Sequence, residues 1–190
     1  MKKFTKLVAT ASIFTVMMST MATGTFAADI GGSSEVNTTI TAGDKKITAP
    51  TGFTFTANLD GRVQTETTSL GTLTVKDATG SGGGWTVYVS ADKLSTATGK
   101  KLAKSTIEIS GTPTIKNLDN LSTDGFTVKS GDITGTTPLA LVTAASNKGM
   151  GTFEFAFGTD SLQLTLSPDE TYVGEAYSTI VNWDFTAALQ

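Results

Sequence analysis

The stretch Gly80–Ala91, GSGGGWTVYVSA, constrains the fold more than any other in the chain. Gly82, Gly83 and Gly84 carry no Cβ and so admit the positive φ that a tight turn needs. From Trp85 onward the residues alternate. Trp85, Val87 and Val89 point one way and Thr86, Tyr88 and Ser90 the other, the period-2 signature of a strand with one buried face. Leu73–Asp77 (LTVKD) runs into the same turn, so the spacing predicts an antiparallel hairpin. A second tryptophan-bearing strand is predicted over Thr179–Phe185 (TIVNWDF), with Val181, Trp183 and Phe185 on one face. These two strands hold both tryptophans of the chain.

Short runs bounded by Gly, Pro, Asn or Asp continue the pattern. Ile47–Ala49 stops at Pro50, Phe53, Phe55 and Ala57 alternate with threonines, and Arg62–Thr67 forms a polar strand candidate. Further strands are predicted at Thr106–Ser110, Phe126–Val128, Leu139–Thr143, Thr152–Phe157 and Leu162–Leu166. In the last two, three phenylalanines and three leucines share a face, and the four-residue turn Gly158–Ser161 predicts a second hairpin between them. Ala91–Ser105 is a polar connection in which a helical turn is expected around Asp92–Thr96. Branched threonine suits a pleated surface while its hydroxyl keeps the outer face wet. The pattern is that of an all-β chain, an antiparallel β-sandwich of Ig-like or Greek-key type.

The chain opens MKKFTKLVATASIFTVMMSTMATGTFAAD. Lys2, Lys3 and Lys6 precede an apolar run broken by hydroxyl residues, and Thr25 and Ala27 supply small residues at −3 and −1, so residues 1–27 read as a secretory signal peptide. Removing 27 of 190 residues leaves 163, enough for a single domain with its own core, spanning 28–190 with a loose N-terminal arm to about 36. No membrane span is expected after cleavage, because no later segment approaches about 20 apolar residues. Three of the 14 basic residues and no acidic residue lie in the leader. The mature chain therefore carries 11 basic against 17 acidic residues, a net charge of −6. Nucleic acid is a poor partner for such a surface.

The chain contains neither cysteine nor histidine. Thiol and imidazole nucleophiles, imidazole bases and the commonest zinc ligands are thereby excluded. No catalytic residue, metal site or cofactor is expected. Asp119, Asn120 and Asp124 lie in a turn-rich stretch, Asn117–Gly125, whose spacing differs from that of the twelve-residue calcium loop. Asp77 and Asp184 flank the two tryptophan strands, but a chain with 17 acids offers many such pairs. Two features bear on binding. Lys93, Lys100, Lys101 and Lys104 form a basic cluster suited to an anionic polymer, with Lys100 and Lys101 as candidate contacts. Tyr88, Tyr172 and Tyr177 are candidates for stacking on sugar rings, and Tyr88 has the outward parity.

A strand of the form L-G-T-L-T-V-x-D, a glycine-rich turn, then G-W-T-V resembles the proximal part of the WxL family of Gram-positive surface proteins. Y-S-T-I-V-N-W-D-F near the C-terminus resembles that family's distal motif. The resemblance runs from about Asp29 to Gln190. Val87 and Phe185 stand where the family has leucine, each keeping an apolar side chain on the same face. The resemblance implies a secreted domain that attaches non-covalently to the cell wall, with peptidoglycan or another wall polymer as ligand; no enzymatic activity is expected, and other surface proteins are further candidate partners. It makes Trp85 and Trp183 candidate ligand contacts, whereas their parity assigns both to the apolar interior. An alternative from another class is a structural or adhesive subunit that assembles through exposed strand edges or binds a host or other protein partner.

Overall fold

The computed structural model describes residues 38–58, 60–170 and 175–187. The expected leader, the N-terminal arm and Tyr172 lie outside the described residues. The unit that carries the strands begins at Ile40. The described residues hold twelve strands, in order β1 Lys45–Thr48, β2 Gln64–Thr68, β3 Thr72–Asp77, β4 Trp85–Ala91, β5 Thr106–Ile109, β6 Thr114–Asn117, β7 Phe126–Val128, β8 Gly131–Asp132, β9 Leu139–Ala144, β10 Gly151–Ala156, β11 Leu162–Leu166 and β12 Val181–Ala187. They form three antiparallel sheets, ordered β1-β3-β10-β6, β2-β11-β5-β8 and β12-β4-β9-β7. No helix occurs among the described residues, and none is long and apolar enough to cross a membrane. The fold is an all-β sandwich around one core.

None of these ladders joins two strands adjacent in sequence. Both expected hairpins are therefore corrected. β3 lies in the first sheet and β4 in the third, so the glycine-rich connection 78–84 carries the chain from one layer to the other. Gly84 makes the arch possible: its φ is +72°, and a Cβ there would stand 2.5 Å from the Ala144 carbonyl oxygen. Likewise β10 and β11 belong to different sheets, and 158–161 is an arch between them. In each pair the apolar faces meet the same core from different layers. Period-2 alternation says which face is buried and is silent on the partner.

The third sheet packs on the first through aromatic rings. Trp85, 1% exposed, lies 5.6 Å from Phe126 and from Phe185 and 6.2 Å from Phe155, the last two edge-on. Phe126 meets Phe153 edge-on at 4.8 Å. Edge-to-face contacts set the positive ring edge against the negative face, adding about 0.5–1.5 kcal/mol per pair to the gain from burial. Ile133 links the second and third sheets. Its N–H donates to the Ile107 carbonyl at 2.8 Å, and its own carbonyl accepts from the Ala91 N–H at 2.7 Å.

The helical turn expected at 92–96 is also corrected. Leu94 and Leu102 are both buried, and the Leu102 N–H donates to the Leu94 carbonyl at 2.9 Å, closing a loop anchored at both ends. Ser95 pairs with Lys101 and Ser178 in isolated bridges. Extended backbone satisfies this segment where a single helical turn would leave most of its N–H and C=O groups unpaired.

Candidate functional site

The outward face of the third sheet gathers polar side chains from three neighbouring strands, β12, β4 and β9. On β4 the outward residues are Thr86, Tyr88 and Ser90, all half-buried. β12 runs antiparallel beside it, in a register that sets Asn182 opposite Ser90 and Asp184 opposite Tyr88. On the other flank β9 carries a bulge. Val142 faces Val87, but Ala140, not Leu141, faces Tyr88. The extra residue lets Leu141 and Val142, consecutive in sequence, both bury completely. It also sets a small alanine beside the tyrosine ring. Bulges commonly re-aim side chains at functional surfaces in this way.

The result is a groove of about 340 Å³. Tyr88 and Ser90 belong to its floor strand, Asn182 and Asp184 to one side, and Thr137 with Pro138 to the other. Trp183 borders it as well. Among the described residues that line it, Asp184 carries the one charge. The Asp184 carboxylate accepts from the Thr186 hydroxyl at 3.1 Å. A half-exposed aromatic ring ringed by amide, hydroxyl and carboxylate groups is matched to a polyhydroxylated ring. The sugar's C–H face can lie on the aromatic face while its hydroxyls reach polar groups at the rim.

The candidate ligand residues divide. Tyr88 lines the groove from the outward face, whereas Trp183, set opposite the buried Val89, has the inward parity and borders the groove between Asn182 and Asp184. Trp85 lies outside it, fully buried, and its indole N–H donates to the Gly149 carbonyl at 2.9 Å. Parity thus assigned Trp85 correctly. Trp183 is intermediate: it packs against the core from the edge strand yet stays half-exposed, as do Val181 and Phe185. An edge strand has a neighbour on one side only, so the same alternation buries less. Tyr177 is half-buried and does not belong to the groove.

The basic cluster is drawn into the loop's own architecture. Lys100 forms an ion pair with Glu175 at 2.7 Å, and Lys104 pairs with Asp169. The Lys93 ammonium donates to the Ser105 carbonyl at 2.6 Å. The pairing with Asp169 holds the Lys104 ammonium above its ordinary pKa, and the same contact, with the Ser167 hydroxyl, holds the Asp169 carboxyl below its own. Lys101 is exposed, and its backbone bridges Ser95. No lysine lies among the described lining residues of the groove.

The remaining acids are separate. Asp77 is buried and ion-paired with Lys45 at 3.2 Å, one carboxylate oxygen also accepting from the Thr79 N–H and hydroxyl. Asp184 is exposed on another sheet. In the 117–125 loop the Asn117 side-chain oxygen accepts from the N–H groups of Asp119 and Leu121, and Asp119 accepts from the Thr152 N–H at 2.7 Å. These are turn-forming contacts, and no group of three or more acids gathers among the described residues.

Sequence reasoning missed Asn182, Ser90, Thr137 and Pro138 as groove residues and gave Asp184 no binding role. Alternation along β12 does set Asn182 and Asp184 on the outward face. Only the pairing register sets them beside Tyr88. No curated protein and no solved structure matches the chain. A family model described as the WxL domain, surface cell wall-binding, matches residues 34–188, nearly the whole chain, and the chain belongs to this family of cell-surface, wall-binding domains.

Proposed function

We propose that the domain holds to the wall by binding peptidoglycan through the groove on the outward face of β4, β9 and β12, without catalysing a reaction. One observation carries the reading: Tyr88 presents a half-exposed ring flanked by Asp184, Asn182 and Ser90 on the face away from the core. Stacking supplies sequence-tolerant affinity along a repeating polymer, and the polar rim orients the sugar. The family's wall-binding character supports the choice of polymer class. The test is sedimentation of the mature domain with purified sacculi. The expected result is a saturable fraction in the pellet that remains when teichoic acid is stripped away. Recovery in the supernatant at all sacculus concentrations contradicts the proposal.

A second reading has an observation of its own. β12 is an edge strand, and Ile180, just before it, is 70% exposed. An open edge with an apolar neighbour can template pairing with another chain. Under that reading the domain sediments alone as oligomers, in a concentration-dependent way, without sacculi.

A further inference from the structure

Bacterial walls combine glycan chains with anionic polymers that repeat a phosphodiester. The groove's own chemistry separates the two. We infer that Asp184 sets the charge selectivity of the groove, admitting an uncharged stretch of glycan and turning away phosphodiester polymers. The inference rests on the groove being the wall-binding surface.

Three observations converge. Asp184 stands directly opposite Tyr88 across the β12–β4 ladder, so a ligand lying on the ring has the carboxylate at its flank. It is exposed and forms no ion pair among the described residues; its hydrogen-bond partner there is the neutral Thr186 hydroxyl. The carboxylate thus retains acceptor sites for sugar hydroxyls or an amide N–H. Lastly, three of the four lysines of the 93–104 cluster are engaged elsewhere, Lys100 with Glu175, Lys104 with Asp169 and Lys93 with the Ser105 carbonyl, and the fourth, Lys101, is exposed but is not among the described residues that line the groove. The other described groove residues are neutral donors and acceptors.

The sign of the effect follows from Coulomb's law. A phosphate held about 5 Å from the carboxylate in a water-like dielectric is disfavoured about fourfold at low salt. A polymer that repeats the charge meets that cost again wherever a second phosphate lies within the Debye length of about 10 Å at 0.1 M salt. A neutral amino-sugar chain meets none of it.

The experiment measures pelleting on sacculi stripped of anionic polymer, with two soluble competitors: a β-1,4-linked N-acetylglucosamine tetramer and polyglycerol phosphate. Parent, Asp184→Asn, Asp184→Lys and Tyr88→Ala are compared at low salt. For the parent, the neutral oligosaccharide is expected to displace the domain and polyglycerol phosphate to leave it bound. In Asp184→Asn the polyanion should compete about fourfold better, and in Asp184→Lys by more than tenfold, the gain disappearing at 1 M salt. Asp184 is exposed on an edge strand, so both variants should keep the parent's melting temperature. Polyglycerol phosphate displacing the parent as well as the oligosaccharide does, or competing no better against the two Asp184 variants, overturns the inference. Tyr88→Ala separates the two claims. If it pellets like the parent, the groove is not the wall site, and both readings fall. If it no longer pellets while the Asp184 variants keep the parent's discrimination, the groove stands and only the role of Asp184 is refuted.

Discussion

The Trp85 indole N–H donates to the Gly149 carbonyl oxygen at 2.9 Å, and a Cβ on Gly149 would stand 2.5 Å from that same nitrogen. A motif tryptophan of a wall-binding family thus has its one polar atom satisfied inside the protein. Its apolar surface meets Phe126, Phe155 and Phe185. The residue packs the third sheet against the first, and Tyr88, three positions on, has the opposite parity.

Trp85→Ala should therefore destabilise the domain by about 3–5 kcal/mol, the usual cost of emptying a large aromatic site. Trp85→Phe keeps the ring but orphans the buried Gly149 carbonyl, at about 1–3 kcal/mol. Gly149→Ala should fall in a similar range, because its φ of +76° disfavours any side chain and the indole blocks the space. Urea midpoints of the three variants check this; a midpoint unchanged in Gly149→Ala contradicts the close approach.

Trp183→Ala should cost less, about 1–2 kcal/mol, since the ring is only half-buried on an edge strand. The two tryptophans, alike in local sequence, should part in a side-by-side denaturation series. Equal losses would mean that the β12 edge is covered in solution.

Ala140→Leu adds volume beside Tyr88 on the outward face, where the β9 bulge places a small residue. Stability should stay within about 0.5 kcal/mol of the parent, as for most surface changes. Pelleting on sacculi should fall by severalfold. Retention of full pelleting would show that the ligand does not approach this flank of the ring.

The Lys104–Asp169 pair ties the lysine loop to the segment before β12, and its pH dependence has a definite sign. The hydrogen bond from Lys104 is the largest cause of the lowered Asp169 pKa, so the carboxyl titrates below its ordinary value of 3.8. The stabilisation is present above pH 3.8 and is lost as pH falls through the lowered folded value. Lys104 titrates above its ordinary 10.5, so its share is present below that pH and lost as pH rises through the raised value. NMR titration of the Asp169 carboxyl should give a midpoint below 3.8 that returns toward 3.8 in Lys104→Met or in 1 M salt. A midpoint indifferent to both would refute the pairing.

Much of the strand content was legible in the sequence because alternation is a local property. β4, β7 and β11 fall where the period-2 reading sets them, and the inward parity of Trp85, Val87 and Val89 is matched by their burial. β6 escaped notice because Thr114–Asn117 offers one apolar residue, Ile115, in four. Pairing was not legible. The short connections 78–84 and 158–161 looked like hairpin turns, yet each spans two layers, and a turn's glycines serve an arch as well as a hairpin. The groove was half legible for the same reason. Tyr88 showed its outward parity, while its neighbours arrive from strands some fifty and ninety-odd residues away, through the register shift at Val87/Tyr88 and the ladder with β12.

On the function proposed above, the outward face of β4 holds the wall while the inward face builds the core. The most direct test is Tyr88→Ala, measured for both its urea midpoint and its pelleting on purified sacculi. The expected outcome is a midpoint close to the parent's, within about 1 kcal/mol in free energy, with pelleting reduced at least tenfold. A variant that pellets as the parent does contradicts the claim.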